Sequence, residues 1–485
     1  MHRSAPRVAK NTIAQFAARG LEGATNFAVT VLLARVLGVG PLGTYAFLST
    51  YASLFIFLST FGLNLLMARD VARRRDEARR YLANALGMAL PLAVISLGLQ
   101  VGIIHVVSRD PTAHIGVYLA GAFAAFHSWE LLFVGVFYAL ERMELETIGI
   151  FIEKAVLLGA VFALVLNGGG VLAVLGAFAA AKLFIVVVYA AMSWRLIGFP
   201  RPAADLGLWR RLAARGWPFS LNLLLTSIYF QSCVVLVAVL ASERAAGYFR
   251  AGSILALSLP MFAAGLNNAL LPLMARAHPA RPRSFEFGLE RSFTVLSLLG
   301  LPIAAGLIVL AQPLVRLFYG PHFGPAVIVF QLLGATVPLK FATNTIGVAL
   351  TAADRQVQRT LAVGVGAGLN VVLNIALIPV LAHTGAAIAA VAADLAILAL
   401  TYVYLRRAEY RLDLLGLSAR PGAAAALMGI LVYLMRGMSL AVVIPAGILA
   451  FCVAAVAVGA VRRSDVEWLK QALLNRSAQL EGSEQ

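Results

Sequence analysis

Charge is scarce in this chain, and acid is scarcer than base. Of its 485 residues only 13% are Asp, Glu, Lys or Arg, and 22 acids face 39 bases. Soluble domains carry about 25% charged residues, so a water-solvated globular surface is excluded for most of the chain. Cysteine is nearly missing too. The two present, Cys233 and Cys452, lie in apolar runs and read as small packing residues, not as a disulfide framework. The scattered histidines, His105, His127 and His383, point to no metal site. No GKS or GKT loop is present, so nothing indicates ATP hydrolysis by this chain. No loop is long enough to hold a soluble domain, which leaves glycosyl-transfer chemistry without a place for its acid pair. No cofactor is expected. No short apolar leader with a cleavage site is visible near the start, so the first span is expected to be retained.

What is there is hydrocarbon. The chain is 61% hydrophobic, with mean hydropathy +0.87. Stretches long enough to cross a bilayer, about 20 residues each, fall at 12–34, 42–68, 82–107, 115–140, 147–167, 171–194, 217–241, 246–274, 288–311, 325–351, 359–381, 384–405, 419–435 and 439–461. An open strand cannot satisfy its backbone in lipid, so these are expected to be helices. The fold class is therefore all-α: a polytopic membrane protein with fourteen transmembrane helices. The arginines take sides. Arg69, Arg73, Arg74, Arg75, Arg79 and Arg80 follow span 2, and Arg195, Arg201, Arg210, Arg211 and Arg215 follow span 6. The loops after spans 4, 8, 10 and 12 and both ends of the chain are basic as well, whereas the intervening loops carry only Arg35, Arg109, Arg244, Arg316 and Arg436. By the positive-inside rule both termini and all even loops are cytoplasmic. This asymmetry accounts for the net charge of +17 without a nucleic-acid partner.

The stretch from Arg35 to Asp70 recurs. Tyr45 maps onto Tyr248, Phe27 onto Phe230 and Gly62-Leu63-Asn64 onto Gly265-Leu266-Asn267, and Met67-Ala68-Arg69 returns as Met274-Ala275-Arg276 after a short slip. Two structural halves in one chain are a transporter architecture. The expected organisation is an N-terminal lobe at 1–199 with spans 1–6, a cytoplasmic connector at 200–216, a C-terminal lobe at 217–411 with spans 7–12, spans 13–14 at 412–463, and a tail at 464–485.

Five bases fall within spans: Arg19, Lys154, Lys182, Arg250 and Lys340. Each costs roughly 2.5–3.5 kcal/mol at a helix centre, so each should pair, snorkel or face an interior. Arg19 and Glu22 are three apart and can pair on one face. Glu153 and Lys154 are adjacent, point in different directions and are not expected to neutralise one another. Lys182 and Lys340 can each be read as snorkelling or as interior, and Glu130 and Asp394 as unpaired acids. A cationic cavity between two lobes would gather Arg19, Lys154, Arg250 and Lys340, with Glu22 organising Arg19 and with Asn26 and Gln231 on its wall; Arg and Lys there suit a phosphate-bearing cargo. Asn370 and Asn374 share a face of span 11 and are read first as interhelical hydrogen-bonding groups. Gly364, Gly366 and Gly368 form a GxGxG inside an apolar span, which is helix packing and not a nucleotide loop.

Several segments together resemble the bacterial polysaccharide (O-antigen type) flippases, of the MATE-like exporter superfamily that also holds multidrug efflux pumps and the lipid II flippase. They are Ala34-Arg35-Val36-Leu37-Gly38 leading to Gly43-Thr44-Tyr45, then Phe61-Gly62-Leu63, then Tyr319-Gly320-Pro321-His322-Phe323. The last is Leu373-Asn374-Ile375-Ala376-Leu377-Ile378-Pro379 followed by Gly385-Ala386-Ala387-Ile388-Ala389. The resemblance runs from about residue 8 to 460. It implies two six-helix lobes related by a pseudo-two-fold axis, two further helices, and alternating-access transfer of a polyprenyl-diphosphate-linked oligosaccharide from the cytoplasmic to the periplasmic leaflet of the inner membrane. Its implied partners are that lipid-linked cargo, membrane lipids and a glycan polymerase. Where many relatives carry an Asp in span 7, this chain has Tyr229-Phe230-Gln231-Ser232. The rival readings are a multidrug efflux transporter, which would want acidic cavity residues, and a membrane-embedded glycan polymerase or ligase, which would want a large outer loop.

Overall fold

The computed structural model describes residues 5–108, 110–199, 201–259 and 282–461. Among these the chain is helical throughout and contains no strand. The helices are α1 (Ala5–Val36), α2 (Val39–Leu54), α3 (Ile56–Thr60), α4 (Leu63–Arg73), α5 (Ala78–Val107), α6 (Pro111–Ala139), α7 (Met143–Leu166), α8 (Val171–Ile197), α9 (Leu206–Leu240) and α10 (Glu243–Ser258). They continue as α11 (Pro282–Val309), α12 (Ala311–Tyr319), α13 (Ala326–Ala352), α14 (Gln356–Arg407), α15 (Leu414–Leu434) and α16 (Leu440–Ala457).

Ten helical segments among the described residues are long and apolar enough to cross a membrane, and eleven if the bent α9 is taken as one span. The chain is thus a multi-pass membrane protein, but the count of fourteen is not reached this way, for identifiable reasons. The 52-residue α14 is two legs joined at Ala382, whose φ of 48° and ψ of −129° no helix can accommodate. Helix α1 carries Arg7, Lys10, Arg19, Glu22 and Arg35 and is not among the ten. Span 8 of the sequence reading runs on into residues 260–281, outside the described residues. The repeated Gly265-Leu266-Asn267 and Met274-Ala275-Arg276 lie there too, as does the tail from 462 onward.

The chain forms two compact units, residues 3–247 and 248–485, the division falling inside α10. In the first, α6 packs on α4, α5 and α8, α1 on α7, and α2 on α9. Its core joins Leu63, Met67, Leu132, Phe133, Phe137 and Tyr189. In the second, α13 sits between α11 and α14, α15 leans on α11, and α16 packs on α15.

Local chemistry sets the helix starts. Asp110 caps α6, accepting from the Thr112 amide at 3.0 Å, with Pro111 at the first helical position. Asp205 does the same for α9 through Leu208 at 3.0 Å. Helix α9 begins at Leu206, so most of the segment expected as a connector is helical. The residues before it are fastened to the arginine-rich end of α5. The Ala203 amide donates to Ala83 O at 2.9 Å, the Asp205 amide to Asn84 Oδ1 at 2.8 Å, and Arg80 to Asp205 Oδ2 at 2.9 Å. These hydrogen bonds, Arg80 first and the Leu208 amide second, hold the Asp205 carboxyl below its ordinary range.

Span 2 is one membrane crossing, Val39–Arg73, built from three short helices. It breaks where Phe61 and Gly62 both adopt left-handed backbone, φ 48° and 68°. For Phe61 that conformation is unfavourable. Gly62 has a second constraint: a Cβ there would lie 2.5 Å from Phe219 Cβ and 2.9 Å from Gly216 O. The Phe61-Gly62-Leu63 motif is therefore the contact of span 2 with α9, fastened by Ser220 Oγ donating to Phe57 O at 2.9 Å.

A candidate transport site

Helix α1 presents Arg19, Glu22 and Asn26 on one face, at three- and four-residue spacing. Arg19 Nη1 meets Glu22 Oε2 at 2.9 Å, as its sequence spacing allowed, and Nη2 reaches Glu146 Oε1 on α7 at 3.5 Å. Glu146 also accepts from the Tyr138 hydroxyl at 2.6 Å, and Tyr138 accepts from Gln15 Nε2 at 3.3 Å. Glu146, Tyr138 and Gln15 were missed in the sequence because they become neighbours only through packing of α1, α6 and α7. Even so, Arg19 keeps 57% of its side chain exposed. Asn26 is exposed, and its carbonyl accepts from the Thr30 hydroxyl at 2.7 Å.

Lys154 departs from expectation. Its Nζ lies 2.8 Å from Glu153 Oε1, so the adjacent pair does neutralise itself. Neighbouring residues leave a helix about 100° apart, but a four-carbon stem is long enough to curl back. Glu153 gives its other oxygen to Lys182 Nζ at 2.9 Å, and Lys182 also holds Glu130 Oε2 at 2.5 Å. His127 Nδ1 lies 2.9 Å from the same Glu130 oxygen, one turn earlier on α6. Lys182 is thus neither snorkelling nor unpaired, and Glu130 is not an unpaired acid. Both lysines and both glutamates are buried. The network ties α6, α7 and α8 together in the first unit. The one sequence signal for it was His127 and Glu130, three residues apart on one face.

In the second unit Lys340 on α13 makes a two-oxygen pair with Asp394 on α14, at 2.9 and 2.7 Å. Asp394 is therefore not an unpaired acid either. Arg250 on α10 is half-buried, and its Nε is enclosed without a hydrogen-bond partner. Gln231 is half-buried and opens the second segment of α9, just past a 54° bend. Asn374 Nδ2 donates to Asn370 Oδ1 at 2.9 Å, so this buried pair bonds along its own helix. Arg19 and Lys154 therefore belong to one unit and Arg250 and Lys340 to the other, and three of the four have carboxylate partners. Among the described residues no group of His, Cys, Asp and Glu is arranged to hold a metal ion.

The arginine-poor end of span 2 is as tightly engaged as its other end. A Cβ on Gly43 would lie 1.7 Å from Glu243 O, and one on Gly247 would lie 2.3 Å from Val39 O. Helices α2 and α10 therefore cross backbone to backbone, which glycine alone permits. The Thr44 hydroxyl donates to the Glu243 carboxylate across the crossing. Beside it opens a cavity of about 620 Å³. Further along, Gly385 allows the second leg of α14 to start against the first, since a Cβ there would lie 2.6 Å from Leu377 O.

Comparison with known proteins adds the following. The model of the family described as "Polysaccharide biosynthesis protein" matches residues 8–278, and the MatE model matches residues 218–376. A protein of Shigella dysenteriae assigned as an O-antigen transporter is 25% identical over 331 residues, covering 65% of this chain and 78% of that one. The lipid II flippase MurJ in an inward closed conformation superposes with a TM-score of 0.76 at 14% identity, over 92% of this chain and 98% of its own. An inward-facing multidrug resistance MATE transporter of the MOP superfamily superposes with a TM-score of 0.64 at 13% identity, over 81% and 94%.

Proposed function

Because the chain belongs to the polysaccharide biosynthesis protein family, we propose that it is a flippase for a polyprenyl-diphosphate-linked oligosaccharide, moving it from the cytoplasmic to the periplasmic leaflet by alternating access. Membership in that family carries the reading. The relative assigned as an O-antigen transporter supports a surface-polysaccharide cargo, and the fold shared with a lipid II flippase is consistent with one. The architecture suits the task. Span 2 is a broken helix held by a glycine contact at each end, to α9 through Gly62 and to α10 through Gly43. Releasing one contact while keeping the other is what alternate opening requires.

The arginine asymmetry supports residence in the inner membrane with both termini cytoplasmic. Spans 1–6 and 7–12 would act as the two lobes. Arg250 and Arg19 are the leading diphosphate contacts, the first with its Nε enclosed without a hydrogen-bond partner and the second largely exposed. Lys154 and Lys340 can contribute only by loosening from Glu153 and Asp394, and Glu22, Asn26 and Gln231 complete the polar lining. A glycan polymerase is the natural acceptor of the delivered repeat. Efflux of cationic drugs fits less well, because Glu130 and Asp394 are tied to lysines.

The test is deletion in the native host with complementation. Loss of surface glycan, with the lipid-linked repeat trapped on the cytoplasmic leaflet, is expected on deletion. Wild-type protein should restore it, and Arg250→Ala should not, at equal protein level. Unchanged glycan together with raised sensitivity to cationic drugs would replace this reading with efflux.

A further inference from the structure

Between Trp194 and Gly216 the chain passes from the end of α8 into the first turns of α9. This arc carries one acid, Asp205, against Arg195, Arg201, Arg210, Arg211 and Arg215. Asp205 is already engaged: it caps α9 and accepts from Arg80, at the start of α5, at 2.9 Å. Arg215 turns to Asp70 at 3.5 Å. Arg79, beside Arg80, reaches the end of α8, where a Cβ built on Gly198 would lie 3.6 Å from its Nη1. Arg79, Arg195, Arg201, Arg210 and Arg211 are all exposed, and among the described residues none of the five forms an ion pair. Arg211 gives one N–H to the Gly207 carbonyl at 3.3 Å.

The arc is folded onto α5. Residues 203–205 make the three hydrogen bonds to Arg80, Ala83 and Asn84 already described, and Gly87 leaves room for them, since a Cβ there would lie 2.1 Å from Ala203 O. Uncompensated guanidinium groups are therefore held on one surface, formed by the start of α5, the end of α8 and the start of α9. Apolar side chains stand out from the same surface. Trp194, Phe199 and Leu206 are 61%, 49% and 73% exposed, and the Trp194 and Phe199 rings meet edge to face at 5.8 Å. This composition selects among partners. A soluble polyanion would satisfy the arginines and leave the rings in water. Bulk acyl chains would cover the rings and leave the guanidinium groups unpaired. An anionic phospholipid does both: its phosphodiester matches the guanidinium fork, and its acyl chains cover the rings. Membrane insertion asks only for basic residues on one side; it does not require them to be tied to a folded arc beside exposed rings.

We propose that this surface docks anionic phospholipid headgroups of the cytoplasmic leaflet, seating phosphodiesters among Arg79, Arg195 and Arg201 with acyl chains against Trp194 and Phe199. Its sidedness rests on the arginine asymmetry; the binding itself involves no cargo and stands apart from the flippase reading. A seated headgroup fastens the arc against α5. The arc leads into α9, whose Gly216 and Ser220 hold span 2, so lipid occupancy favours the state in which that contact is closed.

The experiment uses the delipidated full chain in detergent, titrated with dioleoylphosphatidylglycerol or dioleoylphosphatidylcholine and read by native mass spectrometry. A base close to an anionic lipid contributes about fivefold in affinity. Phosphatidylglycerol should bind at least tenfold tighter than phosphatidylcholine, and the triple variant Arg79→Gln, Arg195→Gln, Arg201→Gln should lose that preference. The control is Arg406→Gln, Arg407→Gln, Arg411→Gln, exposed arginines of the second unit, which should keep it. Equal affinity for the two lipids in wild type, an unchanged preference in the first triple, or an equal loss in both triples overturns the site; the last reduces it to net charge. A second measurement leaves the arginines intact. Brominated phosphatidylglycerol in nanodiscs should quench indole fluorescence more than brominated phosphatidylcholine at equal mole fraction, and Trp194→Phe should remove the excess. Equal quenching, or an excess that persists in Trp194→Phe, overturns the site. Saturable pyrophosphate binding that the first triple abolishes, with no preference between the lipids, overturns it in favour of a soluble diphosphate.

Discussion

Replacing Lys182 with Met should destabilise the first unit sharply, and the loss should be repaired by one second substitution better than by another. Lys182 bridges Glu130 and Glu153. Without it Glu153 retains Lys154 at 2.8 Å, whereas Glu130 retains only His127 at 2.9 Å. The uncompensated charge therefore falls on Glu130. Removing one partner of a buried ion pair costs about 3–5 kcal/mol, and each kcal/mol lowers the melting temperature by about 2–4 °C in a large domain. Lys182→Met should thus lower the melting temperature in detergent by about 6–20 °C, read by fluorescence-detected size exclusion after heating. Adding Glu130→Gln should recover most of the loss, and adding Glu153→Gln less, because that change strands Lys154. A single mutant melting within about 2 °C of wild type, less than ~1 kcal/mol would produce, would refute the network as a structural tie. So would a Glu153→Gln rescue equal to that of Glu130→Gln.

Other consequences can be tested in parallel. Gly43→Ala forces a methyl into the Glu243 carbonyl, so the arginine-poor crossing should not close; cargo flipping in proteoliposomes should fall at least tenfold with normal folding, and full flipping would remove the crossing from the transport cycle. Gly62→Ala meets both left-handed backbone and Phe219 and should have the same effect from the opposite end of span 2. Lys340→Ala should lower protein level as well as transport because it removes the ammonium that pairs with both Asp394 oxygens, whereas Lys340→Met with Asp394→Asn should restore the level and isolate the role of the ammonium in transport, scored as surface glycan. Asp205 has a folded-state value below its ordinary 3.8, so its stabilisation is present above that pH and is lost as pH falls through the lower, folded value; hydrogen exchange at residues 203–208 should accelerate there in wild type and already at neutral pH in Asp205→Asn.

Much of the architecture was legible because lipid is an exacting solvent. Apolar length announced the spans. The glycine motifs were visible as well, at Gly43, Gly62 and Gly385, but not what each glycine was for, because a missing side chain does not say which backbone will occupy its place. The ionic residues were harder. Periodicity assigns Lys182 to a face of α8, yet nothing local to α8 indicates that Glu130 and Glu153 from two other helices converge there. Lys340 and Asp394 posed the same problem. Lys154 and Glu153 failed for the opposite reason, since rigid helical geometry was applied to a flexible stem.

The network on α6, α7 and α8 bears on how the chain is made. Synthesis delivers Glu130 first, then Glu153 with Lys154, and Lys182 last. Each charge at mid-membrane costs roughly 2.5–3.5 kcal/mol on translocon scales, so spans 4 and 5 reach the lateral exit of the translocon carrying one more acid than base. They gain their balancing cation only when span 6 emerges. Cotranslational insertion of this segment should therefore be concerted, the three spans leaving for the lipid together, and truncation between residues 167 and 182 should leave span 4 poorly integrated.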